Sequence, residues 1–284
     1  MSDDDGQKYE GRGNGASGAK EEKSVDRASR LTAPLIYEVI RRDGTEEMTR
    51  PMSSLVFSGL AAGILMSFSI LGEAIFRTYL PVDSSAAFLL ENLGYSLGFM
   101  IVILGRQQLF TENTITTVLP ILANPCREHV VQTARLWGLV LAANVVGAFI
   151  AALFIAYSSG FEDDVVKAVG DLSRHSTEFP ALTGFAKAIP AGVLVAGIVW
   201  MLPTQPRSPF FLILTFTWLI AAGDFLHIIA GSVEMAFLMV QGELGLIPAI
   251  FRFFIPVLLG NVVGGTIVFT LIVWAQVKAE IKGA

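Results

Sequence analysis

Residues 223–231, GDFLHIIAG, interrupt an apolar run that otherwise extends from 210 to 240, and RQQLFTENT at 106–114 interrupts another that begins near 86. A helix needs about 20 apolar residues at 1.5 Å rise to cross the hydrocarbon core. Runs that carry Gly, charged and imidazole side chains at mid-span therefore read as crossings broken near their centre. Unwound backbone at that depth leaves N–H and C=O groups without water, and it is tolerated only where protein buries it or a cavity wets it. These two interruptions decide the fold.

Outward from them, apolar stretches of spanning length fall at 53–76, 86–104, 131–158, 181–202, 210–240 and 246–277, which gives six crossings with the second and fifth broken. The third contains Asn144-Val145-Val146-Gly147-Ala148 and the sixth Asn261-Val262-Val263-Gly264-Gly265, 117 residues apart. The same offset carries LFTENT at 109–114 onto LHIIAG at 226–231. A third pair, Ala61-Ala62-Gly63-Ile64-Leu65 and Pro190-Ala191-Gly192-Val193-Leu194, is 129 apart. Three spans thus repeat as three, and because three is odd the second copy enters from the opposite side. The expected fold is an all-α membrane protein, six helices in an inverted 3+3 repeat. Paired discontinuous helices in such a repeat mark a permeation site.

Composition agrees. Of 284 residues 53% are apolar and 16% charged, and residues 1–50 hold 20 of the 45 charged side chains. We read 1–30 as a disordered charged cytoplasmic tail, 31–50 as an amphipathic helix and linker, 51–278 as the membrane domain and 279–284 as a short cytoplasmic tail. In LTAPLIYEVIRR (31–42) the apolar residues share a helical face, which suits either the membrane surface or packing against the bundle. Lys and Arg flank the spans on the side of both termini, placing the termini in the cytoplasm. A net charge of −5 speaks against nucleic acid as a partner. One cysteine, Cys126, supplies neither an internal disulfide nor a metal cluster. No catalytic motif appears in a credible context, so neither an enzyme nor a cofactor is expected.

His227 is the one histidine inside an apolar span, and an ionisable group at membrane depth is a functional hypothesis by default. Imidazole exchanges protons near neutral pH, which suits a shuttle for a weak acid. Opposite it in the repeat, Leu109 and Phe110 have the bulk to narrow a pore, and the Thr111 hydroxyl can replace lost hydration. Tyr95 and Phe99 share a helix face four residues apart, fit for a second narrowing or for plain packing. Glu112, Asn113 and Asp224 lie inside the breaks as candidate selectivity modifiers; an ionised carboxylate there opposes anions.

GYSLGFMIVILGRQQLFTEN (94–113), AAGDFLHIIAG (221–231) and IPVLLGNVVGGTIVFTLIVW (255–274) resemble the formate/nitrite transporter family over about 31–278. The resemblance implies an aquaporin-like, pentameric protein of the bacterial inner membrane with a pore in each subunit, similar to the branch with a long N-terminal tail. It makes His227 the central pore histidine, places Leu109, Phe110 and Thr111 in the omega-loop constriction and Tyr95 and Phe99 at the apolar slit, and adds Ile220 and Phe225 to the pathway. The chain departs from the family where Leu226 replaces a glutamate, Gly192 an asparagine, Glu112 a glycine and Gln108 an acidic residue. The expected function is passage of a small monovalent weak acid or anion. A neutral solute, a cation or a non-conducting scaffold remain alternatives.

Overall fold

The computed structural model describes residues 31–80, 85–205 and 208–282. The tail at 1–30, Arg207 and the last two residues of the C-terminal tail lie outside the described residues. Among the described residues, five helices are long and apolar enough to cross a membrane: α2 (Met52–Tyr79), α3 (Ser85–Leu104), α6 (Arg127–Tyr157), α8 (Ala181–Met201, continued by a 3-10 turn to Thr204) and α11 (Leu246–Ile281). Around them lie α1 (Ala33–Thr49), the short α4 (Phe110–Thr116) and α5 (Val118–Ala123), α7 (Asp163–Thr177), α9 (Phe210–Ala222) and α10 (Ile228–Val240).

The α2–α6 and α8–α11 contacts are built alike. A Cβ on Gly63 would lie 2.0 Å from the Asn144 carbonyl oxygen, and one on Gly192 would lie 2.3 Å from that of Asn261. Helix backbones approach this closely only where side chains are small. The asparagine that the resemblance expects in the fourth span has no room at 192. α11 accommodates its contacts with π-helical turns at Ala249–Phe254 and Val263–Thr270, a distortion frequent beside functional sites.

Two features exceed the sequence reading. α1 runs to Thr49, well past 42, and its Ile36, Tyr37, Ile40 and Met48 are buried. A Cβ on its Gly44 would meet the Thr116 carbonyl oxygen at 1.8 Å, so α1 packs directly on α4. On its outer side Glu38 accepts from Arg41 and Arg42 at 2.6–2.8 Å, and these bonds, Arg41's first, hold its carboxyl down at about 2. α7 arises where the sequence reading placed a connection. Val165, Ala168, Val169 and Leu172 form its buried stripe, with Asp163 and Asp164 in the first turn and Arg174 and His175 in the last, matching the helix dipole.

Candidate pore site at the two helix breaks

Between α3 and α4 the helix stops at Leu104 and restarts at Phe110; between α9 and α10 it stops at Ala222 and restarts at Ile228. Each interruption contains a non-glycine residue in the left-handed region, Arg106 at φ 51° and Asp224 at φ 53°. Each restarts on an extended residue, Leu109 (φ −99°, ψ 125°) and His227 (φ −107°, ψ 126°). Such backbone costs about 1–3 kcal/mol per strained residue and persists only where its surroundings over-determine it.

The surroundings are the two asparagines. Asn144 Oδ1 accepts from the Phe110 N–H at 2.9 Å, while its Nδ2 donates to the Gln108 and Gly59 carbonyls at 2.8 and 2.7 Å. Asn261 does the same for the second break: Oδ1 accepts from the Ile228 N–H at 2.8 Å, and Nδ2 donates to the Leu226 and Ala188 carbonyls at 2.9 and 2.8 Å. One amide thus satisfies the groups that unwinding exposes, which matters where water cannot. These bonds pair Phe110 with Ile228 and Leu109 with His227, one residue away from the alignment of 109 with 226 expected from the sequence. The first half holds one more residue between its break and its asparagine than the second does.

His227 stands at the N-terminus of α10. Its Nδ1 accepts from the Ala230 N–H at 3.3 Å, so the neutral ring carries its proton on Nε2 and donates to Thr111 Oγ1 at 2.7 Å. Phe99 packs edge-on against the imidazole, centroids 4.8 Å apart, and Tyr95 lies 5.4 Å from Phe99. Leu109, Phe110, Thr111 and His227 are all 2% exposed or less. Tyr95, Phe99, Leu109, Phe110 and Ile220 belong to one buried apolar cluster, with Phe225 packed on it.

The candidate modifiers differ among themselves. Asn113 is a structural hub, donating to the Gln108 side chain and giving its carbonyl to the Trp137 indole at 3.2 Å. Asp224 is held by Lys187, whose Nζ donates to Oδ2 at 2.6 Å, and its Oδ1 lies 3.2 Å from His175 Nε2. Its charge is therefore answered by a cation from α8. Glu112 lines a cavity of about 740 Å³ beside α1, and its Oε1 has no hydrogen-bond partner. The roles of Asn144, Asn261 and Lys187 were missed. An amide or ammonium in the middle of an apolar span was the available signal.

This geometry meets the known proteins at one point. A profile described as formate/nitrite transporter matches residues 34–275. The chain belongs to the formate/nitrite transporter family. It is 42% identical over 250 residues to the Escherichia coli inner membrane protein YfdC, covering 88% of this chain and 80% of that one. Its fold is similar to that of a solved FNT family ion channel, with a TM-score of 0.73 at 20% identity, covering 85% of this chain and 98% of that one. It is also similar to a pentameric formate channel with formate bound, with a TM-score of 0.64 at 22% identity, covering 79% and 97%. The family and these two neighbours are named for transport and conduction.

Proposed function

We propose that this chain is a channel or secondary transporter for a small monovalent weak acid or its anion, of the formate or nitrite kind. In this reading the breaks after Leu104 and Ala222 interrupt the second and fifth of six crossings arranged as an inverted 3+3 repeat. The subunits form pentamers in the bacterial inner membrane, as the names of the relatives suggest, and both termini lie in the cytoplasm, the side on which Lys and Arg flank the spans.

The observation that carries the reading is the 2.7 Å bond between His227 and Thr111. It joins two buried residues from the two breaks, with Phe99 edge-on to the ring, Tyr95 beside Phe99, and Leu109 and Phe110 preceding Thr111 in the chain. Because Nε2–H donates to Thr111 Oγ1, the threonine O–H is left to donate to a solute. An anion arriving beside the ring accepts the hydroxyl's hydrogen bond, and a proton that enters with it, taken up by the imidazole and then handed to the anion, returns the ring to its neutral form and leaves the solute uncharged while it crosses the apolar narrowings. A bare ion would meet the full desolvation cost there.

The test is flux in proteoliposomes. Replacing His227 by Asn or Phe is expected to remove the pH-dependent part of formate or nitrite flux, a loss of about 100-fold if proton exchange limits the rate. Flux and pH response equal to wild type would take the histidine out of the mechanism.

A further inference from the structure

Arg106 of the first break and Asp224 of the second each stand four residues before their helix restarts, and both have left-handed backbone. Glycine holds that conformation without strain, so a charged residue there calls for a use of its side chain. Asp224 spends its own on Lys187 and His175. The Arg106 guanidinium has no hydrogen bond or ion pair among the described residues, and it lines the cavity of about 740 Å³ beside α1.

The other charges of that wall are unequally committed. Arg50 donates to both carboxylate oxygens of Glu47, at 2.9 and 3.2 Å, and Gln108 adds a bond at 2.6 Å, so this cation and anion offset each other. Glu112 keeps one oxygen shut away from solvent, and the Arg106 charge reaches it too. What stays is Arg106 facing two carboxylates of α1, Asp43 and Glu46. Asp43 is open over part of its surface, yet the wall that covers the rest raises its carboxyl above the usual range. The Arg106 charge opposes that rise and Glu46 adds to it. Asp43 and Arg106 thus act on each other with no bond between them.

We propose that Arg106 and Asp43 form a loading site for a dissociated weak acid, the guanidinium taking the small anion and the Asp43 carboxylate taking the proton. This rests on the transport reading above and deepens it, since it names where anion and proton are first held. A planar guanidinium meets a carboxylate with two parallel N–H bonds. While Asp43 is ionised it competes with the anion for Arg106; an O–H bond formed on Asp43 removes the competitor and one negative charge of the wall. Each binding event therefore favours the other. When the proton leaves, that O–H bond breaks, Asp43 is a carboxylate again and the guanidinium is unchanged.

The experiment measures formate uptake into proteoliposomes by the full-length protein as wild type, Arg106→Gln, Arg106→Lys and Asp43→Asn, between pH 7.5 and 5.5, where formate stays ionised. The wild-type KM for formate is expected to fall with pH. Arg106→Gln is expected to raise it about tenfold, the size of one hydrogen bond to a charged group, and Arg106→Lys, which keeps the charge and loses the fork, falls between. Asp43→Asn removes the competing charge, so its KM at pH 7.5 is expected to lie below that of wild type and to stay constant down to pH 5.5. Substitutions that merely loosen α1 move KM in one direction, so a rise in both Arg106→Gln and Asp43→Asn overturns the site, as does a wild-type KM in Arg106→Gln. Binding is read separately, as the Tm of purified protein at pH 5.5 while sodium formate replaces sodium gluconate at constant ionic strength. Wild type is expected to gain and Arg106→Gln is not. A wild type that gains Tm and moves no formate refutes the transport reading and keeps the site. Equal Tm responses in wild type and Arg106→Gln refute the site whatever the flux.

Discussion

At Thr111 a single hydroxyl answers the Nε2–H of a fully buried ring. Thr111→Val keeps the shape and removes the acceptor, which leaves that N–H unpaired at a cost of about 1–3 kcal/mol. The variant is expected to unfold at lower temperature than wild type and to lose the pH dependence of its flux together with His227→Phe. Additive effects of the two substitutions on flux would show that the residues act separately. The candidacy of His227 was legible in the sequence, because nothing else ionisable with a near-neutral titration sits inside a span. Its partner atom was not, since 116 residues separate the two and no local pattern links them. Asp224 shows the reverse case: a carboxylate in a break reads as free charge until the structure brings Lys187 to 2.6 Å from it.

Among the elements, the two asparagines do the same task for the two breaks, and they are expected to respond alike. Asn144→Leu and Asn261→Leu each remove three hydrogen bonds and strand the backbone groups they served, for a loss of about 3 kcal/mol apiece. Val146, two residues from Asn144 and exposed, provides the comparison: Val146→Ala is expected to change Tm little. Thermal unfolding in detergent checks all three. α1 depends on contact at Gly44 instead. Gly44→Leu cannot coexist with the Thr116 carbonyl and is expected to release α1, seen as faster amide exchange over residues 33–49 with the spans unchanged. Glu38 tests the outer side of the same helix. Its carboxyl titrates lower in the folded chain, near 2, than its ordinary value of 4.5, so its contribution is present above about pH 4.5 and is lost as pH falls toward 2. The Tm difference between wild type and Glu38→Gln, small for a pair this exposed, is expected at pH 6 and absent at pH 2. The five long apolar helices were legible from hydrophobic length. α7 was overlooked although its stripe at 165, 168, 169 and 172 has helical period, because it is too short and polar to register in a search for spans.

For the whole molecule, the outward faces of the long helices expose Phe57, Ile101, Phe154, Ile267 and Ile272, which is how helices look when lipid or neighbouring copies cover them. The pentamer in the functional proposal predicts that native mass spectrometry of detergent-purified protein reports five chains per particle. A monomer throughout would contradict it. Cysteines placed at residue 20 and residue 282 are both expected to react with an impermeant thiol reagent from the cytoplasmic side alone.

Length, apolar runs and composition were enough to establish a helical membrane protein. Those features follow from solvent exclusion along the chain, and each segment carries its own evidence. Which groups meet inside the bundle depends on crossings that bring residues more than a hundred positions apart into contact. Only packing decided that Asn144 and Asn261 close the breaks, that Gly192 leaves no room for a side chain, that Asp224 is answered by Lys187 and that Glu112 Oε1 is left without a hydrogen-bond partner. Hydrogen bonds are satisfied at distances near 3 Å, and a sequence has no means of stating such distances between segments that meet only when folded.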